Sequence, residues 1–168
     1  MNRQIVLASR PAGLPEESNF RLVESVIPSP GPGEALVRTL YLSVDPYMRG
    51  RMKDAKSYAP PVQIGEPMVG GTVGRIEQSS DAALRPGDIV AGNGGWQDYF
   101  VAKAKELRKL DPSMKPITTA LGVLGHIGLT AYFGLIDICH PKPGETVVVH
   151  PGDDIPEGTS VEPVPLSK

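Results

Sequence analysis

The chain has 168 residues, 40% of them apolar and 21% charged, with a formal charge of -2, a length that suits one domain and not two enzyme domains. So even a charge balance offers no basic excess to recruit nucleic-acid phosphates, and no stretch is apolar over the roughly 20 residues that a bilayer span needs. A single cysteine, Cys139, excludes an intrachain disulfide and any cysteine-built metal site, and it points to a reducing, cytoplasmic setting.

Nineteen glycines and eighteen prolines, spread between short apolar runs, favour a turn-rich β architecture. Residues 4–8 read as a strand that breaks at Pro11-Ala12-Gly13, and residues 20–26 as a second strand before Pro28-Ser29-Pro30-Gly31-Pro32-Gly33. Residues 34–43 place Ala35, Val37, Thr39 and Tyr41 on one face and Leu36, Arg38, Leu40 and Leu42 on the other, the period of a largely buried strand that Asp45-Pro46 ends. Residues 68–77 carry Gly70, Gly71 and Gly74 among β-branched neighbours, which suits a strand bending at a barrel corner. A turn at Arg85-Pro86-Gly87-Asp88 feeds Ile89-Val90. Residues 96–101 supply a half-buried strand, with Trp96 an apolar anchor whose indole N–H should meet a carbonyl, and residues 107–110 a short edge.

From Pro116 the period changes. Ala120, Leu121, Val123 and Leu124, then Ala131, Tyr132, Leu135 and Ile136, recur at helical spacing on either side of a break from Gly125 to Gly128. The expectation is two short helices, with Tyr132 and Phe133 in the core. Pro141 and Pro143-Gly144 close the second, and Thr146-Val147-Val148-Val149 is a β-branched run of the kind found in doubly buried parallel strands. Residues 150–168 follow neither period and read as a loose polar tail.

Three stretches in order carry a resemblance: Tyr41-Leu42-Ser43-Val44-Asp45-Pro46-Tyr47-Met48-Arg49-Gly50-Arg51-Met52, Gly94-Gly95-Trp96-Gln97-Asp98-Tyr99, and Gly128-Leu129-Thr130-Ala131-Tyr132-Phe133-Gly134-Leu135. Together they resemble the zinc-free branch of the medium-chain dehydrogenase/reductase superfamily, the NADPH-dependent alkenal, prostaglandin and curcumin reductases. The likeness spans residues 1–149 and implies a mainly β fold with a few helices. That fold is a GroES-like, partly open β-barrel that ends at the first strand of an absent Rossmann domain. The domain organisation implied is a substrate domain over 1–149, with linking helices at 118–138, and an atypical tail over 150–168.

Zinc-dependent members of the superfamily place a cysteine and a histidine-glutamate pair where this chain has Ser43-Val44-Asp45 and Gly65-Glu66-Pro67. No tetrahedral N/S/O set is left to hold the metal, so no metal site is expected. The chemistry implied is hydride addition from NADPH to the C=C bond of an α,β-unsaturated carbonyl, with a small enone or alkenal as substrate. The enolate oxygen needs a hydrogen-bond donor, a role a tyrosine hydroxyl can fill. The resemblance makes Tyr47 the catalytic residue, puts Met48 and Tyr58 at the substrate, and gives Gly128, Thr130 and His126 contact with the nicotinamide end. Relatives usually carry methionine where His126 stands, and from its apolar neighbours alone His126 reads as a hydrogen-bonded interior histidine.

Arg49 and Arg51 read as solvated charges, and Cys139-His140 receives no role. Gly70-Gly71-x-x-Gly74 is a barrel corner and not a phosphate loop, since no helix follows it. No glycine fingerprint follows Val149, so tight NADPH binding by this chain alone is not expected. Two functions stay open: the truncated substrate domain of an NADPH-dependent enone reductase, or a non-catalytic module that self-associates through apolar surface on the 118–138 helices.

Overall fold

The alternation along residues 34–42 places β3 (Glu34–Leu42) at the heart of the larger sheet, between β6 (Tyr99–Lys103) and β4 (Thr72–Ser79), antiparallel to both. The computed structural model describes residues 1–57 and 59–147. β5 (Ile89–Gly92) and the two-residue β7 (Arg108–Lys109) complete a five-stranded order β6-β3-β4-β5-β7, with β7 the expected short edge. β1 (Asn2–Leu7) and β2 (Phe20–Ser25) form a separate antiparallel pair. Backbone bonds from Ile5 to Trp96 and from Leu7 to Glu66 lay that pair across the loops of the larger sheet. The result is the expected mainly β, partly open barrel.

Glycine is required at the corner. The β3–β4 register slips between Leu36 and Val37 and again between Thr39 and Tyr41. At Gly74 a Cβ would collide with Val37 Cγ1 and lie 2.7 Å from the Arg38 carbonyl, so only a residue without a side chain lets the strands cross so closely. The strand itself begins at Thr72, four residues later than the sequence pattern suggests.

Three apolar clusters fill the barrel region. Ala35, Val37, Ile76, Val90 and Phe100 form the first, Leu7, Met48, Met52, Val62 and Met68 the second, and Val73, Leu110 and Ala120 the third. Each large side chain so buried contributes about 1.5–3 kcal/mol. The expectation of a largely buried β3 is met at Ala35, Leu36 and Val37, while Leu40, Tyr41 and Leu42 are exposed. The β6 strand pairing stops at Arg38, and beyond it the contact on that side is the Thr39 N–H bond to the Asp98 carbonyl.

The helical region departs further from expectation. The first predicted helix is a four-residue 3₁₀ turn, Ile117–Ala120. The second starts inside the predicted break: α2 (His126–Tyr132) runs into a π-helical turn, Phe133–Cys139, that stops at His140 with φ of 48°. Two compact units are distinguished, Met1–Ile127 and Gly128–Lys168. In the second, Tyr132 and Phe133 are not core residues but 57% and 51% exposed, set edge to face at 5.8 Å. Leu129, Ile136 and Ile138 are exposed with them, so the helical period there marks an apolar face without a cover in the described residues. Thr146 and Val147 form no strand. Val148, Val149, the tail over 150–168 and Tyr58 lie outside the described residues. Among the described residues no helix is long and apolar enough to cross a membrane.

Candidate functional site

Asp45-Pro46 ends β3 and starts α1 (Tyr47–Arg51). Ser43 N–H donates to the Gly71 carbonyl at 2.9 Å, and its hydroxyl donates to Asp45 Oδ2 at 2.7 Å. The Met48 N–H closes on the Asp45 carbonyl at 3.1 Å. This short hydrogen-bonded turn fixes where Tyr47 leaves the backbone. Tyr47 is half-buried and packs against the Leu7–Met68 cluster, while Met48 is 2% exposed within that cluster. The Met48 side chain therefore backs the tyrosine and presents little surface of its own.

Arg49 is not a solvated charge. Its Nε and Nη2 donate to the Gly13 carbonyl at 3.1 and 2.6 Å, and Nη2 also donates to the Pro11 carbonyl at 3.1 Å. Burying the planar guanidinium against two carbonyls ties the 11–13 loop to α1, while its Nη1 is buried without a partner among the described residues. Arg51 Nε donates to the Pro60 carbonyl at 2.7 Å, so it too is engaged with backbone.

His126 is exposed at the start of α2, not an interior histidine. Its ring lies against that of Tyr47, with centroids 6.3 Å apart and planes tilted by 57°. The turn that presents it is closed internally: Leu124 N–H donates to the Thr119 carbonyl at 2.9 Å and Gly125 N–H to the Gly122 carbonyl at 3.0 Å. A side chain at Gly125 would collide with the Ala120 carbonyl oxygen. From β7, Arg108 Nη2 reaches the Leu124 carbonyl at 3.2 Å and that of Ala120 at 3.4 Å. Among the expected site residues, Tyr47, Met48 and His126 thus fall in the first unit, with Tyr47 touching both others' surroundings. Gly128 and Thr130 lie on α2 in the second unit, and Tyr58 lies outside the described residues.

The N–H groups of Leu121, Gly122, Leu124 and Gly125 donate to carbonyls of Thr118, Thr119 and Gly122, and Gly74 is packed against β3, so neither glycine-bearing segment is an open row of donors for a pyrophosphate. The described residues do not fit the phosphate end of a dinucleotide. Among them no group of three histidine, cysteine, aspartate or glutamate side chains comes together that could hold a metal ion.

A groove of about 380 Å³ opens elsewhere on the barrel, between Ile5, Leu22, Leu40, Leu42 and Trp96, with Arg3 and Asp98 at its rim. Trp96 stacks on Phe20 at 5.5 Å, and its Nε1 is buried without a partner among the described residues, contrary to the carbonyl contact expected of it. The ring packs against the Leu7–Met68 cluster. At the rim, the hydrogen bond and charge of Arg3, 2.7 Å away, hold the Asp98 carboxyl below the usual carboxylate range. Lys109 at 2.7 Å and the Arg85 N–H do the same for Asp88. Both ion pairs sit immediately before strands, Asp98 ahead of β6 and Asp88 ahead of β5. Both arginine clamps, on 11–13 and on 120–124, escaped the sequence reading, because a carbonyl acceptor leaves no signature in residue types.

A family model described as the N-terminal domain of oxidoreductase matches residues 3–110. The NADPH-dependent curcumin reductase of Escherichia coli (strain K12) is 54% identical over 148 residues, which are 88% of this chain and 43% of that protein. Prostaglandin reductase 1 of Rattus norvegicus is 43% identical over 141 residues, 82% of this chain and 41% of that protein. The crystal structure of CurA from Vibrio vulnificus aligns with a TM-score of 0.83 at 54% identity, over 87% of this chain and 43% of the other. The chain spans less than half the length of the relatives it matches.

Proposed function

We propose, from the premise that the chain belongs to the oxidoreductase family of NADPH-dependent curcumin, prostaglandin and alkenal reductases, that residues 1–149 are the substrate domain of an enone reductase. The reaction is reduction of the C=C bond of an α,β-unsaturated carbonyl, for which NADPH supplies the hydride in the intact family. Tyr47 is the residue of this chain that serves it. Its phenol donates a hydrogen bond to the carbonyl oxygen and strengthens that bond as negative charge gathers there. Met48 supports the ring from beneath, Tyr58 walls the substrate, and Gly128, Thr130 and His126 face the nicotinamide end.

The observation that carries this reading is the seating of Tyr47. It is half-buried at the first position of α1 over a packed apolar cluster and held by the Ser43–Asp45 turn. A fixed phenol costs less to reorganise than a mobile one. The test is a titration of the chain with cyclohexenone, followed by NMR, beside a nucleotide titration and a measurement of NADPH consumption. Enone binding should weaken about threefold to tenfold in Tyr47→Phe, the worth of one hydrogen bond. NADPH should bind weakly, because the described residues offer the phosphate end no cradle. No enone response in the unmodified chain would sink the reading.

A second reading, a non-catalytic module that binds its own copy, is supported by the exposed Leu129, Tyr132, Phe133 and Ile136 of the second unit. We place either form in the cytoplasm on the strength of the lone thiol of Cys139.

A further inference from the structure

We propose that the groove between the β1–β2 hairpin and the far end of β3 is a binding site for a small uncharged molecule. Its ligand is apolar over most of its surface and carries one oxygen that accepts a hydrogen bond, as a ketone does. The inference is independent of the role given to Tyr47.

The walls follow from the sheet topology. Ile5 and Leu22 are paired directly across the hairpin, and Leu40 and Leu42 stand two apart on β3, past the last residue paired with β6. All four are exposed, and with Trp96 they line about 380 Å³, within the roughly 300–1,000 Å³ typical of small-molecule sites.

The floor is the crossover at 96–98, and its backbone is already engaged. The N–H groups of Ile5, Asp98 and Thr39 donate to the carbonyls of Trp96, Arg3 and Asp98. An added strand would find no open row of backbone groups there. The Gln97 amide is engaged as well, donating to the Gly94 carbonyl at 2.7 Å and accepting from Gln4 at 2.7 Å and Asn2 at 3.3 Å. At the rim, Arg3 donates to both carboxylate oxygens of Asp98, at 2.7 and 3.2 Å. The two charges of the lining thus compensate each other, and an ionic ligand has no free counter-charge to meet.

Two lining residues keep a polar atom unmatched. Trp96 Nε1 and Thr39 Oγ1 are buried without a partner among the described residues. Both carry a hydrogen to donate, so the complement is an acceptor oxygen that arrives inside an apolar envelope. A Cβ at Gly70 would lie 2.8 Å from Leu42 Cδ1 and 3.2 Å from Trp96 Cδ1, the carbon bonded to Nε1. Leu42 therefore lies beside the indole edge that bears the N–H. A rotamer change of this partly exposed side chain admits the ligand oxygen.

The experiment uses the full chain, whose one tryptophan gives a single indole N–H signal by NMR. It is titrated with cyclohexanone, with benzene as a ring without an acceptor oxygen, and with cyclohexanecarboxylate as a charged ring. Cyclohexanone should move the indole signal saturably, and the carboxylate should not. Leu22→Arg, a change at an exposed wall position, should abolish the response. Thr39→Val keeps the shape and removes the hydroxyl, and Trp96→Phe removes the indole N–H; the second is followed through the methyl signals of Leu40 and Leu42. Either should weaken cyclohexanone about threefold to tenfold, the worth of one hydrogen bond, and leave benzene unchanged.

The proposal is overturned by no saturable response to cyclohexanone, by a response that survives Leu22→Arg, or by a carboxylate that binds as well as the ketone. It is overturned too if neither Thr39→Val nor Trp96→Phe separates cyclohexanone from benzene. Because Trp96 also stacks on Phe20, Thr39→Val decides the matter if Trp96→Phe loosens the hairpin.

Discussion

Asp98 shows how a single charge can be tied to the fold without being part of its chemistry. Arg3 lowers its proton affinity in the folded chain, so between the folded and unfolded values the unfolded chain binds more protons and stability rises with pH. The contribution is complete above the ordinary aspartate value of about 3.9 and is lost as pH falls below it. Asp98→Asn should therefore lower the neutral plateau of a plot of melting temperature against pH, leave its most acid end nearly unchanged, and so flatten the rise between them. Gly95 is a different case. Its φ is 72°, and a Cβ there would lie 2.6 Å from the Met68 carbonyl oxygen. Gly95→Ala should cost about 2 kcal/mol or more, from positive φ and backbone crowding together, measured as a lower denaturant midpoint at unchanged slope. The need for glycine was legible at 70–74 from residue type, whereas Gly94 and Gly95 entered only as part of the family resemblance. That Asp98 has a partner 95 positions away was not legible.

At the scale of elements, the strands were far more legible than the helices. Period two survives in β3 because its neighbours β4 and β6 are both present over Ala35, Leu36 and Val37. It misleads beyond Arg38, where one neighbour ends. The run from Ala120 to Ile136 has helical spacing, yet glycines 122 and 125 and the internal bonding of their turn cut it, so that only 126–139 is helical. The seat of Tyr47 was legible in Asp45-Pro46-Tyr47; what keeps α1 in place was not, since the acceptors of Arg49 are carbonyls of Pro11 and Gly13. Arg49→Lys keeps the charge but cannot serve Pro11 and Gly13 in the same planar fork. It should cost about 1–3 kcal/mol, and amide exchange measured residue by residue should rise at 13–17 and 48–52 more than in β3–β4.

For the whole molecule, the balance of covered and uncovered surface is the issue. The barrel unit packs three apolar clusters but also leaves Leu22, Leu40 and Val44 exposed, and the unit from Gly128 leaves Tyr132, Phe133 and Ile138 in the open. Apolar surface of that kind lowers the free energy of any contact that covers it. Sedimentation should show a weight-average mass that climbs with concentration, and Tyr132→Glu with Phe133→Ser should return it to that of one chain. A mass independent of concentration would remove the self-association reading. Composition announced the β class at once, because glycine and proline punctuate short strands; it could not announce which faces would go uncovered, since that depends on neighbours beyond the pattern itself.

The stack of Trp96 on Phe20 gives this chain a built-in optical gauge. It is the sole indole, and it bridges the hairpin of β1 and β2 to the larger sheet. Its emission therefore tracks the seating of that hairpin and little else. A red shift arriving at lower denaturant than the loss of far-ultraviolet dichroism would reveal the hairpin peeling away while the five-stranded sheet endures.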